Sequence, residues 1–391
     1  MTTGDPPTPL LAPDSPLSAG ERALVEELFA AEARLMDNLP TDDPADAKRR
    51  RRVELTRPEI LAQPDAIRAT LAAEAGAIEA AAAALAEMPP QRIILTGCGD
   101  SLAVMIGARH FLERLLGIPA EPVQALDFAY YGADTIGPGT LVVTLSSSGA
   151  TTRTVEAMLV GRHRGARTLA LSNTPGSPLM AHSDAGLRVH AERKGWPTQS
   201  STAAMALLMQ FAVALARLTG RDGRAVDAAE ASLAAVPDLV ATVAAATETA
   251  VRRIAGAEAG GHVYHFAGGG PSFAAALFGA AKVKECTPDH GVAVGQEEFH
   301  HYNSLKAGEP LFVVAPAGPS VPRARDTAFE GRRWGGTVYA VVSEEETALD
   351  RDAAAVIRLP RTAETVSPFL TAVPLQLFAY HLAMAKFAAA A

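Results

Sequence analysis

The chain has 391 residues, 48% of them hydrophobic and 20% charged, and carries 35 Lys and Arg against 43 Asp and Glu for a formal charge of −8. That apolar content can bury two ordinary domains, which excludes a disordered scaffold. The negative balance argues against a general nucleic-acid binder, because such affinity rests on clustered Lys and Arg.

Residues 1–18 are rich in Pro and small side chains, and the N-terminal stretch lacks the basic start and apolar core of a signal peptide. The following "SAGERALVEELFAAEARLMDN" has a Ser cap, an early Glu and helical spacing, so a short helix on a loose arm is expected. The basic run "KRRRR", Lys48–Arg52, reads as a solvated linker, which closes an N-terminal arm over residues 1–53. Two Ala-rich helices follow. From there short apolar runs alternate with helix-length segments: "RIILTG" (92–97), "EPVQALD", "TLVVTLS" (140–146), "RTLALSN" and "AGLRVHA", closed by the apolar helix "STAAMALLMQFAVALARLTG". Runs of this kind, bounded by Gly or Pro, predict a parallel sheet covered by helices on both faces.

After a helical bridge near 224–258 the pattern repeats with "HVYHFAGGG" (262–270), "PLFVVAP", "TVYAVVS" and "AAVIRLP" before a final helix. Both halves place a second strand about fifty residues after the first. The expectation is an α/β protein of two tandem domains, over 54–220 and 221–391. Cys98 and Cys286 lie far apart, and no uninterrupted run of about 18 apolar residues occurs. The expectation is therefore a cytoplasmic chain without disulfides or a membrane segment.

In an open parallel sheet, ligands gather beyond the carboxyl ends of the strands, where helix N-termini point their N–H groups outward. "TGCGDS" places Asp100 and Ser101 there, and "SSSGATT" places Ser146, Ser147, Ser148 and Thr151. Hydroxyls, open amides and a helix dipole together suit a phosphate group; a helix cap alone would need one serine. The dinucleotide fingerprint lacks its third glycine, and no "GxxxxGK[ST]" occurs.

The densest ionisable segment is "KVKECTPDHGVAVGQEEFHHYNSL". Lys282 and Glu285 share a helix face, and a half-buried carboxylate there would have a raised pKa suited to a general base; an exposed ion pair is the plainer alternative. His300 and His301 add groups that titrate near neutrality. Their adjacency, with His290, Glu297 and Glu298 nearby, does not match metal-ligand spacing, so no metal and no organic cofactor is expected.

In order, "CGDS", "LSSSGATT", "SNTPGSPL", "VKE" with "EFHH", and "VSPFLTAVPLQLFAYHLA" resemble the tandem sugar-isomerase (SIS) domain family over about residues 54–387. The resemblance implies two flavodoxin-like three-layer domains. It implies that Ser101, Ser146, Ser148 and Thr151 grip a sugar phosphate, with Ser147, Ser201, Gly99 and His300 close by. It further implies that Glu285, beside Lys282, moves a proton between C1 and C2, and that His301 from a second subunit assists ring opening in a homodimer.

Two departures stand out. The family's "HGP" is replaced by "HHYN", and the chain ends in "AMAKFAAAA" where relatives carry a lysine-bearing tail. Lys282, Lys284 and Lys386 are the alternatives for that amine, as is a route without a Schiff base. Residues 1–53 are too short for a glutaminase domain, and no nucleophilic Cys follows Met1. The expected function is a phosphosugar isomerase or aminosugar-phosphate deaminase acting on a hexose or hexosamine 6-phosphate. A non-catalytic sugar-phosphate sensor is the alternative.

Overall fold

The computed structural model describes residues 10–36, 39–43, 45–302 and 305–390. The apolar runs form two five-stranded sheets. In the first, β1 (Arg92–Gly97), β2 (Ala120–Gln124), β3 (Thr140–Leu145), β4 (Arg167–Ser172) and β5 (Ala185–Arg188) stand in the order β2-β1-β3-β4-β5. In the second, β6 (Val263–Gly268), β7 (His290–Gly295), β8 (Pro310–Val314), β9 (Thr337–Ser343) and β10 (Ala355–Leu359) stand in the order β7-β6-β8-β9-β10, the same arrangement one repeat later. Every pairing is parallel. Because helices cover both faces, β3 and β8 are buried along their whole length.

The helices are α1 (Ala19–Met36), α2 (Ala47–Leu61), α3 (Gln63–Ala86), α4 (Asp100–Leu116), the single turn α5 (Ala125–Asp127), α6 (Thr152–His163), the short α7 (Pro178–His182), α8 (Gln199–Leu218), α9 (Gly223–Ala234), α10 (Val236–Ala257), α11 (Ser272–Cys286), α12 (Val321–Arg333) and α13 (Ser367–Ala390). One hydrophobic core runs through both halves. The halves meet where α4 packs on α11, and small residues bring the two helices close: a Cβ on Gly107 would lie 3.2 Å from that of Ala274. Gln63–Ala86, Gln199–Leu218, Gly223–Ala257 and Glu364–Ala390 are each long and apolar enough to cross a membrane by length and composition. In the windows within Gln199–Leu218 and Glu364–Ala390, 78% of the residues are buried in the fold.

Three expectations change, and the helical bridge, present where expected, is refined. The described part of the arm is docked rather than loose: Ser18 and Glu21 form a capping box at the start of α1. Leu11, Leu17, Val25 and Leu28 pack with Val155, Met158 and Leu159 of α6. The "KRRRR" run lies in α2, capped by the Asp46 carboxylate, which accepts from Arg49 N at 2.8 Å. Arg49, Val53, Thr56 and Ile60 recur every three or four residues and form its buried stripe, which a row of like charges conceals. The bridge near 224–258 is two helices, divided at Ala235. Strand β7 has no counterpart in the apolar pattern, because it is an edge strand with half-exposed side chains. Its Gly291 lies so close to α11 that a Cβ would overlap the Ala280 backbone.

Candidate active site

The order β2-β1-β3-β4-β5 reverses direction between β1 and β3, and the loops leaving those two strands bound a cleft of about 210 Å³. Beyond β3, Ser146 is 2% exposed and organises its loop from below. Its Oγ lies 2.8 Å from Thr151 Oγ1 and 3.3 Å from Ser148 Oγ, and accepts from Gly149 N at 3.0 Å. Gly149 has φ +64, and a Cβ there would overlap the Ser177 hydroxyl, so only glycine fits. Ser147 Oγ donates to Asn173 Oδ1 at 2.6 Å, tying this loop to the one after β4. Beyond β1, Gly99 adopts φ +57 and starts α4, with Ser101 in its first turn.

Ser101, Ser147, Ser148, Thr151 and Ser201 all line the cleft. The first turn of α6 has no cap from the Thr151 side chain. Instead Glu32 of α1 accepts from Thr152 N at 3.0 Å and from Thr152 Oγ1 at 2.8 Å.

An ionisable carboxyl enters from the second half. Glu285, on the last turn of α11, lines the same cleft, while Lys282 one turn back is 1% exposed. The Lys282 ammonium donates to Asp100 Oδ2 at 2.6 Å and to the Glu285 carboxylate, so one buried cation joins carboxylates from both halves. Burial raises the Glu285 carboxyl to about 7, with the Asp100 charge adding to the rise and Lys282 and Arg52 opposing it. The Glu285 side chain keeps 26% of its surface open, so the carboxyl is enclosed by protein yet within reach of a ligand. Burial works against the Lys282 charge, but Asp100 and Glu285 outweigh it and hold the ammonium above its ordinary value. The group that titrates near neutrality is therefore Glu285, and Lys282 keeps its proton.

The remaining expected residues lie elsewhere in the chain. His301 is 59% exposed after the turn Glu298–His300, with Nε2 3.3 Å from Glu297 Oε1. His300 Nε2 lies 3.0 Å from Thr327 Oγ1, and burial pulls its pKa below the usual value. Neither ring lines the cleft. Lys284 is exposed, and Lys386 donates to the Gly261 carbonyl at 2.7 Å and pairs with Asp289 at 3.0 Å. No lysine lines the cleft. Among the described residues no three His, Cys, Asp or Glu side chains are grouped to hold a metal ion.

Sequence reasoning missed the partnership of Asp100 with Lys282, and it missed Asn173, Arg193 and Arg52. Asn173 sits at the tip of β4 inside "SNTPGSPL", a position the strand-tip rule reaches; Arg193, in an irregular loop, leaves no periodic signal.

Comparison with known proteins gives this geometry a lineage. Over 342 residues the chain is 29% identical to the glutamine–fructose-6-phosphate aminotransferase [isomerizing] of Escherichia coli, matching 84% of this chain and 55% of that protein. The chain thus spans about half the length of the curated relatives it matches. Its fold resembles the C-terminal domain of glucosamine-fructose-6-phosphate aminotransferase from Francisella tularensis (TM-score 0.74, 23% identity, 85% of this chain and 96% of that one). It also resembles tagatose-6-phosphate ketose/aldose isomerase from Escherichia coli (TM-score 0.64, 20% identity, 84% and 94%) and glucosamine-6-phosphate deaminase from Thermotoga maritima (TM-score 0.63, 20% identity, 84% and 94%). The SIS domain matches residues 88–214 and 261–386, one copy per sheet, and the chain belongs to the SIS domain family.

Proposed function

We propose that the chain is an aldose–ketose isomerase of a hexose or hexosamine 6-phosphate. The observation that carries this reading is a carboxyl poised at about 7, Glu285, in the same cleft as a hydroxyl-rich strand-tip loop. The hydroxyls of Ser101, Ser148 and Thr151 hold the phosphate dianion. Ionised Glu285 then takes the C2 proton of the open-chain aldose to leave an enediolate; a proton passes from the O2 hydroxyl to O1, and return of the carbon-bound proton to C1 yields the ketose. The aminotransferase relatives, named both for fructose 6-phosphate and for isomerisation, support the substrate class.

Two observations favour isomerisation over lysine-imine chemistry: no lysine lines the cleft, and Lys282 is held protonated between two carboxylates. An imine requires a neutral amine. The observation on the side of a deaminase is that two carboxylates, Asp100 and Glu285, both line the cleft and suit a substrate ammonium. The decisive measurement is exchange with D2O of the C2 proton of glucose and glucosamine 6-phosphates and of a C1 proton of fructose 6-phosphate. Glu285→Gln is expected to lower exchange by about 10²-fold or more while binding persists; full exchange in that variant removes the base assignment. Tight binding without exchange in the wild type would leave a sensor.

A homodimer in which His301 reaches the partner's cleft accounts for a histidine that stands outside its own. Mixing inactive Glu285→Gln and His301→Asn chains tests this, because shared sites would regain part of the turnover in the mixed dimer.

A further inference from the structure

The N-terminal arm reaches the candidate site from behind. Leu11, Leu17, Val25 and Leu28 pack on Val155, Met158 and Leu159, which lays α1 along α6. The two helices run in opposite directions. Glu21, near the start of α1, has its Oε2 2.8 Å from Nε2 of His163 at the end of α6. Glu32, eleven residues on, meets the beginning of α6, where it accepts from Thr152 N at 3.0 Å and from Thr152 Oγ1 at 2.8 Å.

These are the only hydrogen bonds of Glu32 among the described residues, and no Lys, Arg or His there pairs with it. Arg153, the next residue along α6, is taken by Glu156, Tyr130 and the Leu10 carbonyl. A half-buried carboxylate is thus balanced by a helix terminus alone. The amino end of a helix carries about half an elementary positive charge, against the full negative charge of a carboxylate. The start of α6 is therefore net negative.

Thr152 is buried at 1% exposure, and Thr151, directly before it, lines the cleft. A phosphate dianion on the loop of Ser148 and Thr151 would share that helix end with Glu32, one anion on each side. Such a loop has to attract its ligand with uncharged donors, and a run of hydroxyls supplies them. Resting on the sugar-phosphate reading above, we propose that Glu32 sets the affinity of the site by competing with the substrate phosphate for the start of α6, so that ligand binding and docking of α1 oppose one another. Coupling of this kind is reciprocal: the arm weakens the ligand by the factor by which the ligand loosens the arm.

The test is titration calorimetry of the full chain with fructose 6-phosphate. In Glu32→Gln the carboxamide oxygen can accept from Thr152 N while its amino group donates to Thr152 Oγ1, so the charge is removed and the contacts stay. This variant is expected to bind about three- to tenfold tighter. Fructose 6-sulfate, with one charge fewer at the same place, should gain less. Glu27→Gln removes the same charge from an exposed position of α1 and should stay within about twofold. Saturating fructose 6-phosphate should also speed hydrogen exchange of the α1 amides in the wild type, and by a smaller factor in Glu32→Gln.

An unchanged affinity in Glu32→Gln overturns the proposal, and a weaker one overturns it by making Glu32 a support of the loop. Equal gains in Glu32→Gln and Glu27→Gln, or an equal gain for the sulfate, overturn it as well. So does α1 exchange that the ligand slows or leaves unchanged in the wild type. If neither chain binds fructose 6-phosphate or its sulfate counterpart, the sugar-phosphate reading falls and this proposal with it. If fructose 6-phosphate binds the wild type and Glu32→Gln alike, only this proposal falls.

Discussion

The two sheets share one strand order but not the chemistry of their switch points. In the first, the loops after β1 and β3 present hydroxyls and a glycine that only fits unsubstituted. In the second, the equivalent crevice between β6 and β8 is larger, about 580 Å³, and lined by Gly268, Gly269 and Gly270 with Ser320, Arg323 and Gln296. Gln296 is 4% exposed and neither amide atom has a partner, while Arg323 is already paired with Glu297 at 2.6 Å. A run of hydroxyls is thus confined to one copy. The other copy contributes α11, whose last turns supply Glu285 to its neighbour's cleft and Lys282 as the buried ammonium beside it. On the proposed function, the duplicated scaffold divides the labour between ligand holding and acid/base chemistry.

That division can be broken at several points. The largest effect is expected from Gly149→Ala, which combines left-handed backbone strain with overlap of Ser177 and should cost about 3 kcal/mol of stability. Gly270→Ala at the second switch point has φ +54 but no neighbour nearer than 3.8 Å, and should cost about 1–2 kcal/mol by chemical denaturation. Equal costs would mean that the first loop is not held by Ser177.

Next in size, Thr151→Val removes a hydroxyl of the proposed phosphate loop and the partner of Ser146, and should weaken fructose 6-phosphate binding by about tenfold. Gln296→Leu should leave that affinity within about twofold, and a comparable loss there would relocate the ligand to the second half. The smallest effect concerns pH. Glu285 must be ionised to accept a proton, so C2 exchange falls as pH drops through about 7. The Asp100 charge helps raise that value, so Asp100→Asn should move the acid limb of the exchange profile to lower pH; a shift upward would mean that Asp100 acts chiefly by orienting Lys282.

Much of this division is legible in the sequence. β1, β3, β6 and β8 announce themselves as apolar runs ending in small residues, because buried parallel strands carry little polar patterning. The hydroxyls of Ser148 and Thr151 fall at a strand tip by the same reasoning. What stays hidden is set by packing between distant segments. Strand β7 is exposed enough to lack an apolar signature, and α2 hides its inward stripe beneath like charges. Asp100 and Lys282 are 182 residues apart, so no local spacing could pair them. Arg193 gains its place only because Glu59 and Thr56 of α2, far upstream, grip its loop.

The Lys282 contact also bears on how the repeat could have evolved. An ancestral single unit had to satisfy its own charges, whereas here the ammonium of one copy is neutralised partly by a carboxylate of the other. Removing a buried partner of this kind costs about 3–5 kcal/mol. Either half made alone would therefore lose a charge partner of the buried Lys282–Asp100 contact.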